Sequence, residues 1–372
     1  MKKIPLFNLR RQHQPLKEQI MSSWEKIYDD NSFTSGKETE VFEKKYAKFC
    51  NTKYALGVHS GTDSLIITLK AAGINQGDEV ITTPCTFTAS SDCITHVGAV
   101  PVFADVEQST GNIDPEEIIK KITSKTKAIL LVHLYGVPCD MDVILKIAKK
   151  HNLIIIEDAS HAHGSLYKGK PVGSFGLAGC FSLYPSKSLG ALGNAGIITS
   201  NDSKFIKKAR MYSNHGVRDI KNKYIHHVSG FNKLIDNVQS AALIHKLPHL
   251  DKVIKRKLKI AKNYNEAFQH NGREGMVWDN NVTPSIYVYS FQAREREKVV
   301  RYFEKEGVST GVYYPIPLHL QPSMSFLKYK RGDFPRAERF FDQTLSLPIF
   351  SELTDEEVKR IIVAIKNIPK SI

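Results

Sequence analysis

The sequence has no apolar run approaching the roughly 20 residues that a bilayer-spanning helix requires, so no membrane role is expected. Its start, Met1-Lys2-Lys3-Ile4-Pro5-Leu6, carries two lysines but no continuous apolar stretch behind them, so no secretory signal is expected. Cysteine is sparse. Cys50, Cys85, Cys93, Cys139 and Cys180 are odd in number and contain no C-x-x-C pair, which argues against a disulfide frame or a zinc site. Scattered reduced thiols of this kind suit a cytoplasmic protein. Acidic residues are the other shortage: 38 Asp and Glu stand against 52 Lys and Arg, a formal charge of +14. Such a surplus favours polyanionic partners: nucleic acid, an anionic membrane surface or a phosphorylated substrate. The lysines are dispersed and no nucleic-acid module accompanies them, so a solvated basic surface is expected rather than a nucleic-acid patch.

The 372 residues exceed what one compact core usually organises, and two domains are expected, 1–245 and 246–372. Neither internal repeats nor low-complexity segments interrupt them. In the first part, short apolar runs alternate with helical stretches. Glu79 to Thr82, Pro101 to Val106, Ala128 to His133, Leu153 to Ile156, Gly179 to Tyr184 and Gly196 to Thr199 read as strands. Ser64 to Ala72, a segment through Cys93 and Ile94, and Met141 to Lys150 read as helices between them. This alternation predicts an α/β domain with a mostly parallel sheet. The pattern changes after about residue 245. A long basic helix over Leu247 to Phe268 leads into strands at Ile286 to Phe291 and Ser309 to Tyr314. Helices at Arg294 to Glu306 and Asp355 to Ile365 complete a smaller α+β unit, with Thr354 and Glu357 as a capping box.

Three features carry chemistry. Ser60-Gly61-Thr62-Asp63 precedes a helix, where glycine allows close backbone approach and the free N–H groups of a helix start favour an anion. The same four residues also read as a plain capping box, Ser60 with Asp63. Glu157-Asp158 ends a buried strand, and ligands in open α/β sheets collect beyond the carboxyl ends of strands. A carboxylate there can hold a pyridinium nitrogen protonated, or serve as a helix cap. Lys187 follows 29 residues later, beside Ser186 and Ser188 and before Gly190, Gly193 and Gly196. A lysine in a glycine-rich turn at a sheet edge can form a Schiff base, although one lysine among so many is ordinarily an exposed one.

The order of these features resembles that of fold-type I pyridoxal-phosphate enzymes. More closely, the chain resembles the DegT/DnrJ/EryC1/StrS sugar aminotransferases nearly end to end. The matching segments are Ser60 to Asp63, Pro84-Cys85-Thr86-Phe87, Glu157 to Gly164, Phe181 to Gly196, Gly230-Phe231-Asn232, Asp236 to Ala242 and Tyr314 to His319. The resemblance implies that Lys187 holds pyridoxal 5'-phosphate and acts as acid and base, with Asp158 on the pyridine nitrogen. It further implies that Gly61, Thr62 and Ser182 bind the phosphate, Phe87 stacks on the ring, and His161 touches the ring hydroxyl or substrate. Asn232 would reach the phosphate of a second subunit, making a homodimer with shared sites. Tyr314 and His319 would lie near the substrate. Many relatives have glutamine in place of His161, and arginine in place of Leu234, where Lys233 or Arg218 would supply the charge.

On this resemblance L-glutamate is the amino donor and a keto-sugar, nucleotide-linked and aminated at carbon 3, is the acceptor. Amination at carbon 4, a keto-sugar phosphate or cyclitol acceptor, and a sugar dehydratase remain alternatives, as does a regulatory protein that binds ligand or DNA. Relatives that dehydrate carry histidine in place of the lysine, so Lys187 favours transamination. Two other patterns invite different chemistry. His161-x-His163 beside Asp158 could begin a metal site, but nothing further closes the shell. The glycines at 190, 193 and 196 have the wrong spacing for a dinucleotide fingerprint.

Overall fold

The computed structural model describes residues 3–34, 36–219 and 222–372, which leaves Met1 and Lys2 of the amino-terminal reading outside it. Twelve strands occur among the described residues. They are β1 (Tyr54–Val58), β2 (Glu79–Thr82), β3 (Val100–Phe103), β4 (Thr126–Val132), β5 (Ile154–Asp158), β6 (Leu166–Tyr167), β7 (Lys170–Pro171), β8 (Ala178–Ser182), β9 (Gly196–Ser200), β10 (Val282–Thr283), β11 (Tyr289–Gln292) and β12 (Thr344–Leu347). Seven of them form one sheet in the order β1-β9-β8-β5-β4-β2-β3. Only β9 runs against its neighbours, so the sheet is mixed but mostly parallel, as the strand–helix alternation predicts.

Period-two alternation explains how this sheet holds its helices. In β4, Ala128, Leu130 and Val132 face a cluster with Leu65, Ile66 and Leu69 of the helix Gly61–Ala72. Ile129 and Leu131, between them, face the opposite cluster with Tyr264, Phe268 and Phe291. Burying an aliphatic side chain of this size stabilises the fold by about 1.5–3 kcal/mol, so both faces are firmly specified. In β5, Ile156 joins the first cluster and Ile155 the second. Continuing that alternation sends Asp158 to the face of the helix Gly61–Ala72 and Glu157 to the other.

The helix boundaries follow local chemistry. Ser60 caps the helix Gly61–Ala72 by accepting the Asp63 N–H, and Gly73 ends it at a φ of 86°. Thr354 and Glu357 form the expected capping box on the helix Asp355–Lys366. The long basic helix runs over Leu250–His270, preceded by a 3-10 turn at Leu247–His249. One expected strand is absent. Ser309 to Tyr314 forms only a single bridge, Gly311 to Ser346, before the chain turns toward Pro315 and Pro317. The strand that pairs with β11 is instead β12, antiparallel. β11 is also shorter than expected, because Ile286 adopts a φ of 45° that ends extended pairing.

Candidate active site

The carboxyl ends of β5 and β8 and the start of the helix Gly61–Ala72 meet around a cavity of about 390 Å³. Its lining includes Gly61, Thr62, Phe87, Asp158, His161, Ser182, Lys187 and Tyr314, so eight of the residues singled out in the sequence share one space. That volume lies within the range of small-molecule pockets. Asn232 does not line the cavity and is exposed. His319 does not line it either. It is buried, 3.1 Å from Glu338 and packed against Phe334.

The anion end is built by close packing. A Cβ on Gly61 would lie 2.6 Å from the Ser182 Cβ, so only glycine lets the helix start approach the end of β8. A Cβ on Gly196 would lie 2.2 Å from the Ser60 carbonyl oxygen, so the start of β9 closes the same corner. Both readings of Ser60 to Asp63 therefore hold together: Ser60 caps the helix, while Gly61 and Thr62 line the cavity. The Asp63 carboxylate accepts from the Ser60 hydroxyl at 2.7 Å and pairs with Lys233, which anchors Lys233 at this helix start. Arg218 is exposed and lines no part of the cavity.

Asp158 is buried, and its two oxygens accept the Ser90 hydroxyl at 2.7 Å and the Ser160 N–H at 3.2 Å. An ionised carboxylate has about four acceptor sites, so capacity remains for one more strong donor. Glu157 has none to spare. It accepts the N–H groups of Gly173, Phe175 and Gly176 at 2.6, 2.8 and 2.9 Å, and faces His133 Nε2 at 3.2 Å.

The two histidines divide in the same way. His163 Nε2 donates to the Ser182 carbonyl at 2.8 Å, leaving Nδ1 to accept the Tyr46 hydroxyl at 2.8 Å. Burial pushes its pKa down to about 3, so the ring is neutral and fully used. His161 stacks on Tyr287 at 4.6 Å, and its Nδ1 accepts the Tyr135 N–H at 3.4 Å. That leaves Nε2 as the protonated nitrogen, 3.4 Å from the Tyr314 hydroxyl. Burial, then the charge of Lys187, holds its pKa well below the ordinary imidazole range. His161 is a neutral donor. Neither histidine is arranged for a metal, and no group of three or more His, Cys, Asp or Glu suited to one occurs among the described residues.

Lys187 sits in the turn after β8, its ammonium 4.2 Å from the centre of the Tyr287 ring. Burial lowers its pKa to about 7, opposed by the negative charge of Asp158. The turn is tight. A Cβ on Gly190 would lie 2.3 Å from the Pro185 carbonyl oxygen, which accounts for that glycine. Sequence reasoning missed Ser90, Ser160 and Tyr287. Ser160 was visible as the residue two after Asp158, but Ser90 and Tyr287 arrive from distant segments with no local signal.

These residues suit pyridoxal phosphate. An amine of lowered pKa, a carboxylate with acceptor capacity left, and an anion corner of helix N–H groups and hydroxyls surround one cavity. The model of the DegT/DnrJ/EryC1/StrS aminotransferase family matches residues 14–366. Among curated proteins, the chain is 39% identical to a pleiotropic regulatory protein of Geobacillus stearothermophilus, covering 96% of each. It is 38% identical to dTDP-3-amino-3,6-dideoxy-alpha-D-galactopyranose transaminase of Aneurinibacillus thermoaerophilus, over 98% of this chain and 99% of that one. The solved structure of NtdA from Bacillus subtilis with bound cofactor PMP superposes with a TM-score of 0.91 at 31% identity. It covers 98% of this chain and 85% of that one. The chain belongs to the DegT/DnrJ/EryC1/StrS aminotransferase family and is a pyridoxal-phosphate enzyme of the sugar aminotransferase type.

Proposed function

We propose that this enzyme takes the amino group of L-glutamate and delivers it to carbon 3 of a nucleotide-linked keto-deoxyhexose. The observation that carries the reading is Lys187, with a pKa lowered to about 7, in one cavity with Asp158. When bound, pyridoxal phosphate supplies the electron sink that makes a proton on the substrate carbon removable. Lys187 holds or releases that proton, and a pKa near the operating pH keeps both of its forms populated. Asp158, fixed by Ser90 and Ser160, accepts the pyridine N–H. The N–H groups at Gly61 and Thr62 and the hydroxyls of Thr62 and Ser182 hold the phosphate. His161 donates from Nε2 to an oxygen of the ring or substrate. Phe87 and Tyr314, with ring centres 5.6 Å apart, form part of the wall.

The 38% identity to a transaminase named for a dTDP-linked 3-amino sugar supports the acceptor class, and the charge of +14 suits a diphosphate. Phe87 is 53% exposed and Asn232 is exposed at the surface, which suits a homodimer in which Asn232 completes the partner's phosphate site. All five cysteines are free and buried, in keeping with a reducing cytoplasm. No helix among the described residues is long and apolar enough to cross a membrane.

The test is the absorbance spectrum of the purified protein with pyridoxal phosphate, before and after L-glutamate. A visible band of lysine-bound cofactor should give way to the ultraviolet band of the aminated form. Adding a dTDP- or UDP-linked 3-keto sugar should restore it. A band that ignores glutamate points to another donor or to dehydration, and the absence of any band removes Lys187 from its role.

A further inference from the structure

Two lysines outside the cavity's chemistry are buried beside it. Lys246 ends the helix Asn237–Lys246 and is 5% exposed, and Lys257 lies on the helix Leu250–His270 and is 4% exposed. Burying an ammonium costs free energy that only specific partners offset. Both find partners in the same short turn. Lys257 Nζ donates to the Ser188 hydroxyl at 3.1 Å, and Lys246 Nζ donates to the Gly190 carbonyl oxygen. Ser188 directly follows Lys187, and Gly190 closes the turn.

Other contacts strengthen this arrangement. Lys246 also lies 3.2 Å from His13 Nε2, so it ties the amino-terminal segment to the turn. Glu352 is the acid whose charge favours the protonated form of both lysines. On the other side of Lys187, the Ser186 hydroxyl lies 3.4 Å from the Tyr287 hydroxyl. Lys187 and Lys257 lie 4.2 and 6.0 Å from the centre of that same Tyr287 ring. The hydroxyls flanking Lys187 are thus both engaged, one by a tyrosine and one by an ammonium.

We propose that Lys246 and Lys257 are positioning residues, a pair of ammonium groups that clamps the Ser188–Gly190 turn and thereby fixes where Lys187 points. The role in catalysis rests on the transamination reading; the clamp itself does not. The clamp joins the helix Asn237–Lys246 and the long helix Leu250–His270 to the turn that presents the reactive amine. An unclamped turn would leave Lys187 present but loosely aimed, and misplacement of a reacting group by about 1 Å can cost about 100-fold in rate.

The test uses amide hydrogen exchange in the apoprotein, with Lys246→Met, Lys257→Met and the double variant. The probes are the Lys187 N–H, donated to the Tyr184 carbonyl at 2.8 Å, and the Ala191 N–H, donated to the Leu183 carbonyl at 2.8 Å. Exchange at these two amides should rise about ten-fold or more in the double variant, with protection elsewhere unchanged. Thermal stability should stay level or rise, because methionine removes a buried charge while filling similar volume. Ser188→Ala, which removes the acceptor of Lys257, should reproduce part of the local effect. In the holoenzyme kcat should fall with KM for glutamate unchanged. Unchanged exchange at both amides, or a uniform rise accompanied by a lower Tm, would overturn the proposal. The exchange needs neither cofactor nor substrate. A failed sugar assay therefore leaves the clamp standing, and failure of the clamp leaves the glutamate half-reaction to be judged by its spectrum.

Discussion

The carboxyl end of β5 and the turn that follows it make opposite uses of the same residue types. Glu157 and Asp158 are adjacent acids, and His161 and His163 are histidines two residues apart. Glu157 receives four donors and His163 uses both ring nitrogens, so neither has hydrogen-bonding capacity left. Asp158 and His161, by contrast, keep capacity directed at the cavity. Burial alone does not separate the pairs, because all four residues are buried. What separates them is unfilled hydrogen-bonding valence, and that difference marks chemistry off from architecture.

The largest expected effect lies at the group that neither pair can replace. Lys187→Ala should lower kcat by about 1,000-fold or more, in line with the loss of a positioned acid–base group. The visible cofactor band should vanish with it while Tm changes little, since removing a desolvated amine relieves a burial cost. Retention of turnover near the wild-type level would move the catalytic amine elsewhere.

The two acids test the comparison directly. Asp158→Asn should reduce kcat by about 100-fold or more, because the amide cannot hold a pyridine nitrogen protonated, while stability changes by less than about 1 kcal/mol. Glu157→Gln should do the reverse. It leaves backbone N–H groups of the Gly173–Gly176 loop without a full set of acceptors, a loss of about 3 kcal/mol read as a lower urea midpoint. Its folded fraction should retain most of the activity. If Glu157→Gln abolished turnover at unchanged stability, the division between the faces would collapse.

These contrasts also measure how much was legible in the sequence. The parallel strands, the capping box at Thr354 and Glu357 and the cap at Ser60 arise from local patterns, and the chain displays them directly. The segments around Gly61, Asp158 and Lys187 were readable because each sits where a strand or helix ends. Tyr287, Ser90 and the pairing of β11 with β12 depend on contacts between segments far apart in sequence, which no local period encodes. His319 is a related case: the resemblance implies a place near the substrate, while Phe334 and Glu338, from a later segment, hold the ring in the core. Ser309 to Tyr314 has strand-like composition, but only Gly311 within it forms a β-bridge.

Titration should distinguish the same regions. The pKa of Lys187 and Lys257 is lowered to about 7 and that of Lys246 to about 8 by burial. Between those values and the ordinary lysine value of about 10.4, the unfolded chain binds protons that the folded one does not. Stability of the apoprotein should therefore rise from pH 7 toward pH 10, and the Lys246→Met/Lys257→Met variant should flatten the rise. His163, with a pKa of about 3, acts the same way at lower pH: stability should fall as the pH drops from about 6.5 toward 3. Urea midpoints across both windows measure the slopes, and a decline between pH 7 and 9 would contradict the lowered lysine pKa values.

The smallest expected effect falls on the histidine that faces the cavity. His161→Gln keeps a side chain that can accept the Tyr135 N–H and donate to an oxygen in the cavity, so kcat should drop by about ten-fold or less. His161→Phe keeps the stacking on Tyr287 but loses the donor, and it should cost more, about 1–2 kcal/mol of transition-state stabilisation. The matching change at the other histidine, His163→Phe, leaves the Tyr46 hydroxyl and the Ser182 carbonyl without their partner inside the fold. It should lower the urea midpoint while the folded protein keeps its spectral response to glutamate. Equal kinetic losses from His161→Phe and His163→Phe at equal stability would mean that both histidines serve the cavity, and unfilled hydrogen-bonding valence would no longer tell them apart.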